Sequence, residues 1–209
     1  MPKSTRPHCR WALASSGVSL TVTACGLAVV LATSFVHAGD DQSPPRLEPA
    51  GSVAGYVARL LINETPFPGE RGWVSEADTR AATLSILWVL DNRIHSIPSG
   101  YQQEHIAAAR ASDIIDVITA GGEKGQCDGF HRDKSGRFIA VPRVHERIDN
   151  LVRLASKGAP GPFARLINFA QGLASAYVNT GIDGADRFAD VRRVGQVDVT
   201  GRAFLAQQY

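Results

Sequence analysis

One carboxyl group stands out by its setting. Glu64 closes the stretch Ala58-Arg59-Leu60-Leu61-Ile62-Asn63-Glu64, and Pro66 follows almost at once. An apolar helix that runs into a single carboxylate and stops at proline places that carboxyl at the edge of a core. Lost hydration there favours the protonated form, which a general acid working near neutral pH requires. The plain alternative is a surface residue at a helix end. Glu70, in Gly69-Glu70-Arg71-Gly72, is a second carboxyl in the next loop and is expected to be the more mobile of the two. Three further polar positions belong to the same inventory: Asn92 beside Arg93 at the end of an apolar run, Gln126 in Gly125-Gln126-Cys127-Asp128-Gly129-Phe130, and Tyr177 on a late apolar stripe. For Asn92 the plain reading is a helix-ending structural residue, and for Tyr177 a core aromatic.

Other chemistries lack their residues. There is no glycine-rich phosphate loop, no serine elbow and no His-x-x-x-His helix. His95, His105, His131 and His145 are scattered, and Cys127 with His131 lacks a third ligand at metal-binding spacing. No metal or cofactor is expected. Cys127 as a nucleophile served by a distant histidine is a third possibility, although a lone cysteine commonly packs as a small apolar residue.

The elements that must position these residues begin well inside the chain. Lys3, Arg6 and Arg10 precede an apolar run from Trp11 to Ala38, which reads as an export signal cut after Ala38, with an uncleaved membrane anchor as the alternative. The protein is therefore expected in the periplasm or cell envelope, touching the membrane only if that leader stays. The leader holds three of the 22 Lys and Arg and none of the 20 Asp and Glu, so the remainder carries 19 against 20, a formal charge of −1. Such a balance gives no reason to expect a nucleic-acid partner. Cys9 and Cys25 leave with the leader, so Cys127 remains alone and the fold rests on its core. A monomer is expected.

Residues 39–51, with Pro44, Pro45 and Pro49, read as an extended linker, and 52–209 as one mainly α domain. A first helix is expected over Ser52–Asn63, with Val53, Tyr56, Val57, Leu60 and Leu61 inward. Ser75-Glu76-Ala77-Asp78 starts a second, apolar over most of its circumference, that ends near Ile94. A third is expected over Gln102–Ala120. Asp133-Lys134-Ser135-Gly136 reads as a hairpin tip before a short strand at Phe138–Val141. Two more helices follow, Arg143–Ser156 and one starting near Pro160. A turn over Asn179–Gly184 comes next, then an extended tail from Val194 to Phe204.

The order of helix, Glu, loop, apolar helix ending in Leu90-Asp91-Asn92-Arg93-Ile94, Gln126 loop and late Gly184-Ala185-Asp186-Arg187-Phe188 resembles the cell-wall hydrolase family of the spore-cortex-lytic type. That family is a branch of the lysozyme-like lytic transglycosylases, and the likeness runs from Ser52 to Phe188. It implies a lysozyme-like helical domain that cuts peptidoglycan strands between N-acetylmuramic acid and N-acetylglucosamine. Glu64 matches the family's catalytic Glu, with Glu70 as the alternative because it stands nearer the usual distance from Asn92-Arg93. Cys127 replaces the aromatic that follows the glutamine in the family. The resemblance further implies Gln126 as a partner for an acetamido group, and Tyr177 as a brace for the acid or a platform for a sugar. In the implied reaction a protonated Glu64 donates to the bridging oxygen and then takes a proton from the sugar's own 6-hydroxyl. Asp128 and Glu70 are weak candidates for the second carboxylate that a hydrolase would use. The runner-up function is a non-catalytic helical module that holds glycan or an envelope protein.

Overall fold

The computed structural model describes residues 44–157 and 161–190. The leader, Pro160 and the tail from Val194 lie outside the described residues. Within them the chain is mainly helical, with six α-helices and one two-stranded sheet. No helix among the described residues is long and apolar enough to cross a membrane.

Helix α1 is Val53–Glu64, started by the Ser52 hydroxyl, which accepts the Gly55 N–H at 3.0 Å. Tyr56, Val57, Leu60 and Leu61 are all within 1% of complete burial, as their spacing predicts. Helix α2, Glu76–His95, is capped by Ser75, with Glu76 and Asp78 in its first turn and Arg93 in its last, each charge matched to the helix dipole. Leu84, Leu87 and Trp88 point into the core, whereas Ile86 and Val89 on the flank stay half-buried.

The expected third helix is two. Helix α3 is Gln103–Ala107, Ala108 turns left-handed (φ 56°), and Asp113 caps a new helix α4, Ile114–Thr119. The Gln103 side chain spans the break, donating to the carbonyls of Arg93 (3.2 Å) and Ala111 (2.8 Å) and accepting the Ala111 N–H (3.2 Å). A single turn of 3-10 helix, Gly122–Lys124, follows. Strands β1 (Phe130–Arg132) and β2 (Phe138–Ala140) pair antiparallel with His131 opposite Ile139, around the expected Asp133–Gly136 tip. The Tyr56 hydroxyl donates to the Ile139 carbonyl at 2.9 Å and fastens this hairpin to α1.

Helix α5 is Pro142–Ala155, and helix α6 spans Pro162–Ala189 with a break at Gly181 (φ 69°, ψ −165°), a backbone state open to glycine. Beyond the break the chain doubles back. A Cβ at Gly172 would lie 2.2 Å from the Phe188 ring, two positions that a straight helix would hold roughly 24 Å apart. Trp88 donates its indole N–H to Asp186 at 2.6 Å, which ties the returning segment to α2. Asp186 is thus an anchor for the returning segment. Both α1 and α2 pack along α6.

The linker expectation is corrected for residues 46–51, which dock on α6. The Glu48 N–H donates to Gln171 Oε1 (3.0 Å), and its carboxylate accepts from Gln171 Nε2 (3.1 Å), Ser175 (2.9 Å) and Ser52 (3.0 Å). Arg59 donates to the Glu48 carbonyl at 2.7 Å. Gly55 lets the strap cross α1, since a Cβ there would lie 2.2 Å from the Pro49 carbonyl. Replacing Glu48 with Ala removes the carboxylate that accepts from Gln171, Ser175 and Ser52 together, an expected loss of about 1–3 kcal/mol in chemical denaturation. An unchanged denaturation midpoint would show that the strap is not part of the folded unit.

Candidate active site

Glu64 is the last residue of α1, because Thr65 goes extended (φ −114°, ψ 144°) ahead of Pro66. The open helix end is satisfied by Arg147 of α5. Its guanidinium donates to the carbonyls of Ile62 (2.7 Å) and Thr65 (3.0 Å) and forks onto Glu70, with Nε to Oε1 at 3.1 Å and Nη2 to Oε2 at 2.6 Å. Glu70 Oε2 also accepts the Phe67 N–H at 2.8 Å. The expectation that Glu70 is mobile is therefore corrected. Its two oxygens together accept three hydrogen bonds that hold the loop after α1, which gives this carboxylate a structural task.

Glu64 faces a cleft of about 300 Å³ between α1, α2 and the Gln126 loop. Leu60 supplies the α1 side of its floor, and Ile86, Val89 and Leu90 the α2 side. Its polar lining is Glu64, Ser85, Arg93 and Gln126, and the buried Cys127 lines it as well. An Arg93 nitrogen (Nη1) donates to Gln126 Oε1. The Gln126 loop is held close to α4, because its backbone N–H donates to the Ala120 carbonyl at 3.3 Å. Gly125 permits that approach, since a Cβ there would lie 1.9 Å from the same oxygen.

The expected desolvation of Glu64 is not what the structure has. The residue is exposed at the cleft mouth, and its Oε1 accepts a hydrogen bond from Asn63 Nδ2 at 3.1 Å. Arg143 stands near enough for the Glu64 charge to act on it, but its main partner is Asp128 at 2.6 Å, which holds the guanidinium above its usual value. Asp128 is exposed, engaged in that pair, and does not line the cleft.

Cys127 is 7% exposed. Burial, and then the nearby Glu64 carboxylate, push its thiol up to about 11. At neutral pH it is a protonated, poorly nucleophilic group, which corrects the thiol-enzyme possibility. Because the thiolate forms only as pH rises through about 11 instead of the ordinary 9.0, its alkylation at pH 8 should be roughly 100-fold slower than that of a free cysteine. Rapid alkylation at pH 8 would mean that the side chain is not held as described. Among the described residues no three His, Cys, Asp or Glu side chains are grouped to hold a metal.

Two other sequence candidates lie elsewhere. Tyr177 is buried, and its hydroxyl donates to Asp91 Oδ1 at 3.0 Å. Burial and the Asp91 charge raise its phenol above the usual value. His95 Nδ1 lies 3.2 Å from the same oxygen. Tyr177 is thus a core residue and reaches neither the acid nor the cleft. Asn92 is 7% exposed with its amide nitrogen unpartnered, and it too is outside the cleft lining. Arg93, its neighbour, is the rim residue. The helical period that puts Ile86, Val89 and Leu90 on one face carries position 93 to the same face, which is the signal that identifies it.

No protein-family model matches the chain, and the comparisons with curated proteins and with solved structures likewise return no match.

Proposed function

We propose that this protein cleaves the glycan strands of peptidoglycan, with Glu64 as a single general acid and base. The observation that carries the reading is the convergence of Glu64, Gln126 and Arg93 on one cleft with an apolar floor. Its volume, about 300 Å³, is at the lower end of small-molecule sites, roughly 300–1,000 Å³. An apolar floor suits the carbon face of a sugar ring, and polar groups on the rim suit its substituents. A glycan laid over the cleft strips water from Glu64, and that desolvation favours the neutral acid. Glu64 then protonates the bridging oxygen as the glycosidic bond breaks through an oxocarbenium-like state. The resulting carboxylate takes the proton of the same sugar's 6-hydroxyl, whose oxygen bonds to the anomeric carbon and closes a 1,6-anhydro ring. With Glu70 clamped by Arg147 and Asp128 paired with Arg143, no second carboxylate among the described residues lines the cleft. Internal attack by the 6-hydroxyl requires none.

The test is release of soluble fragments from isolated peptidoglycan by the purified protein, with binding to the sediment measured in parallel. Release is expected. A second reading, a glycan-holding module without catalysis, is favoured by the exposure of Glu64 in the free protein. Binding without release would establish it in place of the first.

A further inference from the structure

Between α3 and α4 the chain turns a corner where its residues favour one helix. Ala107-Ala108-Ala109-Arg110-Ala111 are all strong helix formers. Yet α3 stops at Ala107, and Ala108 takes a left-handed backbone (φ 56°, ψ 11°) that a residue with a Cβ disfavours. The buried side chains of Ala107, Ala111, Ile114, Ile115 and Ile118 would also share one face of an unbroken helix. Side chains hold the corner instead. Gln103 accepts the Ala111 N–H and donates to the Ala111 carbonyl. In an unbroken helix that N–H would go to the Ala107 carbonyl, four residues back. Glu104 pairs with Arg110 across the crook, where residues 102–104 and 110–112 line a groove of about 480 Å³. On a straight helix the same two positions would stand roughly 120° apart around the axis and about 9 Å along it, which favours the pair in the bent form.

Helix α3 is also the arm that touches the cleft. Gln103 Nε2 donates to the Arg93 carbonyl, and the Ile106 carbonyl accepts from Gln126 Nε2 at 3.4 Å. Straightening would give the Ile106 carbonyl to the Arg110 N–H and draw Gln103 away from Arg93. Helix α4 is the fixed arm, because Val117 and Ile118 are fully buried and it packs on both α2 and β1. We infer that the α3–α4 corner is a two-state latch on the Gln126 wall of the cleft. Bent at Ala108, it holds that wall; straightened into one helix from Gln103 to Thr119, it lets the wall go. Local propensity pulls toward the helix, and one glutamine with one exposed ion pair pulls back. A balance of this kind leaves the straight form populated at roughly 0.1–10%. That the latch governs glycan cutting rests on the function proposed for the cleft; the two states themselves do not.

The experiment is NMR of the isotope-labelled, purified protein. Relaxation dispersion should show exchange on the microsecond-to-millisecond scale at Ala108–Ser112, with helical carbon shifts in the minor state. The Gln126 side-chain amide should exchange at the same rate. Gln103→Met keeps helix propensity but removes both amide bonds to Ala111, and should raise the straight population by roughly tenfold or more. Ala108→Gly relieves the left-handed backbone and weakens the helix, and should lower it by roughly tenfold. Combining Gln103→Met with Ala108→Gly should give an intermediate population, which separates a shifted equilibrium from a damaged fold. No exchange in the parent together with no helical shifts in Gln103→Met would overturn the inference. Exchange at Ala108 that Gln126 does not follow would overturn it as well. Fragment release from peptidoglycan by a protein with a rigid corner would remove the latch and leave the cleavage reading intact. A moving corner without fragment release would do the reverse.

Discussion

Replacing Glu64 with Gln should abolish glycan cleavage, lowering fragment release by roughly 10²–10⁴-fold, the worth of one well-placed acid–base group. The substitution is close to isosteric, and a glutamine oxygen can still accept the Asn63 hydrogen bond. Glu64 is exposed and does not belong to the core of α1. Stability should therefore change by no more than about 0.5 kcal/mol, and the variant should still bind glycan. Activity lost at unchanged melting temperature is the signature of a group that acts on substrate. A variant as active as the parent would assign the acid elsewhere in the chain.

The largest effect on stability is expected at Arg147. Its one guanidinium closes the end of α1 through two carbonyls, forks onto Glu70 and lies 5.8 Å from the centre of the Phe67 ring. Arg147→Ala leaves Glu70 as an uncompensated carboxylate and two carbonyls unpaired in one step. The pair is partly open to water, with side chains 26% and 35% exposed, so the cost falls below that of a fully buried pair. About 2–4 kcal/mol is expected in chemical denaturation. Cleavage should fall as well, because the helix end that aims Glu64 loses its support. Arg147→Lys should recover little, since an ammonium cannot reproduce a planar fork that serves a carboxylate and two carbonyls together. Full stability in the lysine variant would show that the charge alone matters and would contradict this description of the loop.

Much of the fold is local in origin, and that part is legible in the sequence. Ser52 and Ser75 start α1 and α2 because each hydroxyl accepts an N–H three residues on. The hairpin tip is fixed by Asp133, whose carboxylate accepts the N–H groups of Ser135 and Arg137 at 2.8 and 3.0 Å. What depends on distant partners is not legible. The split between α3 and α4 falls at Ala108, which no local rule marks, and is held by the side chain of Gln103. Residues 46–51 look like a linker by composition, yet Glu48 finds its partners on α6, more than a hundred residues away.

The site divides along the same line. Helix periodicity brings Leu60 and Glu64 of α1 to one wall and Arg93 of α2 to the other, and Gly125 lets Gln126 close the third side. The roles of Glu70 and Tyr177 are decided by single distant partners, Arg147 and Asp91. No spacing within either residue's own segment encodes those pairings. Exposure of Glu64 is likewise a tertiary outcome. An apolar helix leads up to it, but the last residue of that helix overhangs the core that its predecessors fill.

The central claim is that Glu64 cuts glycan without a second carboxylate. Its most direct test is mass spectrometry of the fragments released from isolated peptidoglycan by the parent and by Glu64→Gln, side by side. Fragments ending in 1,6-anhydro sugar, each lighter by one water than a hydrolysis product, are predicted from the parent and none from the variant. Fragments released equally by both proteins, or by neither, would contradict the claim.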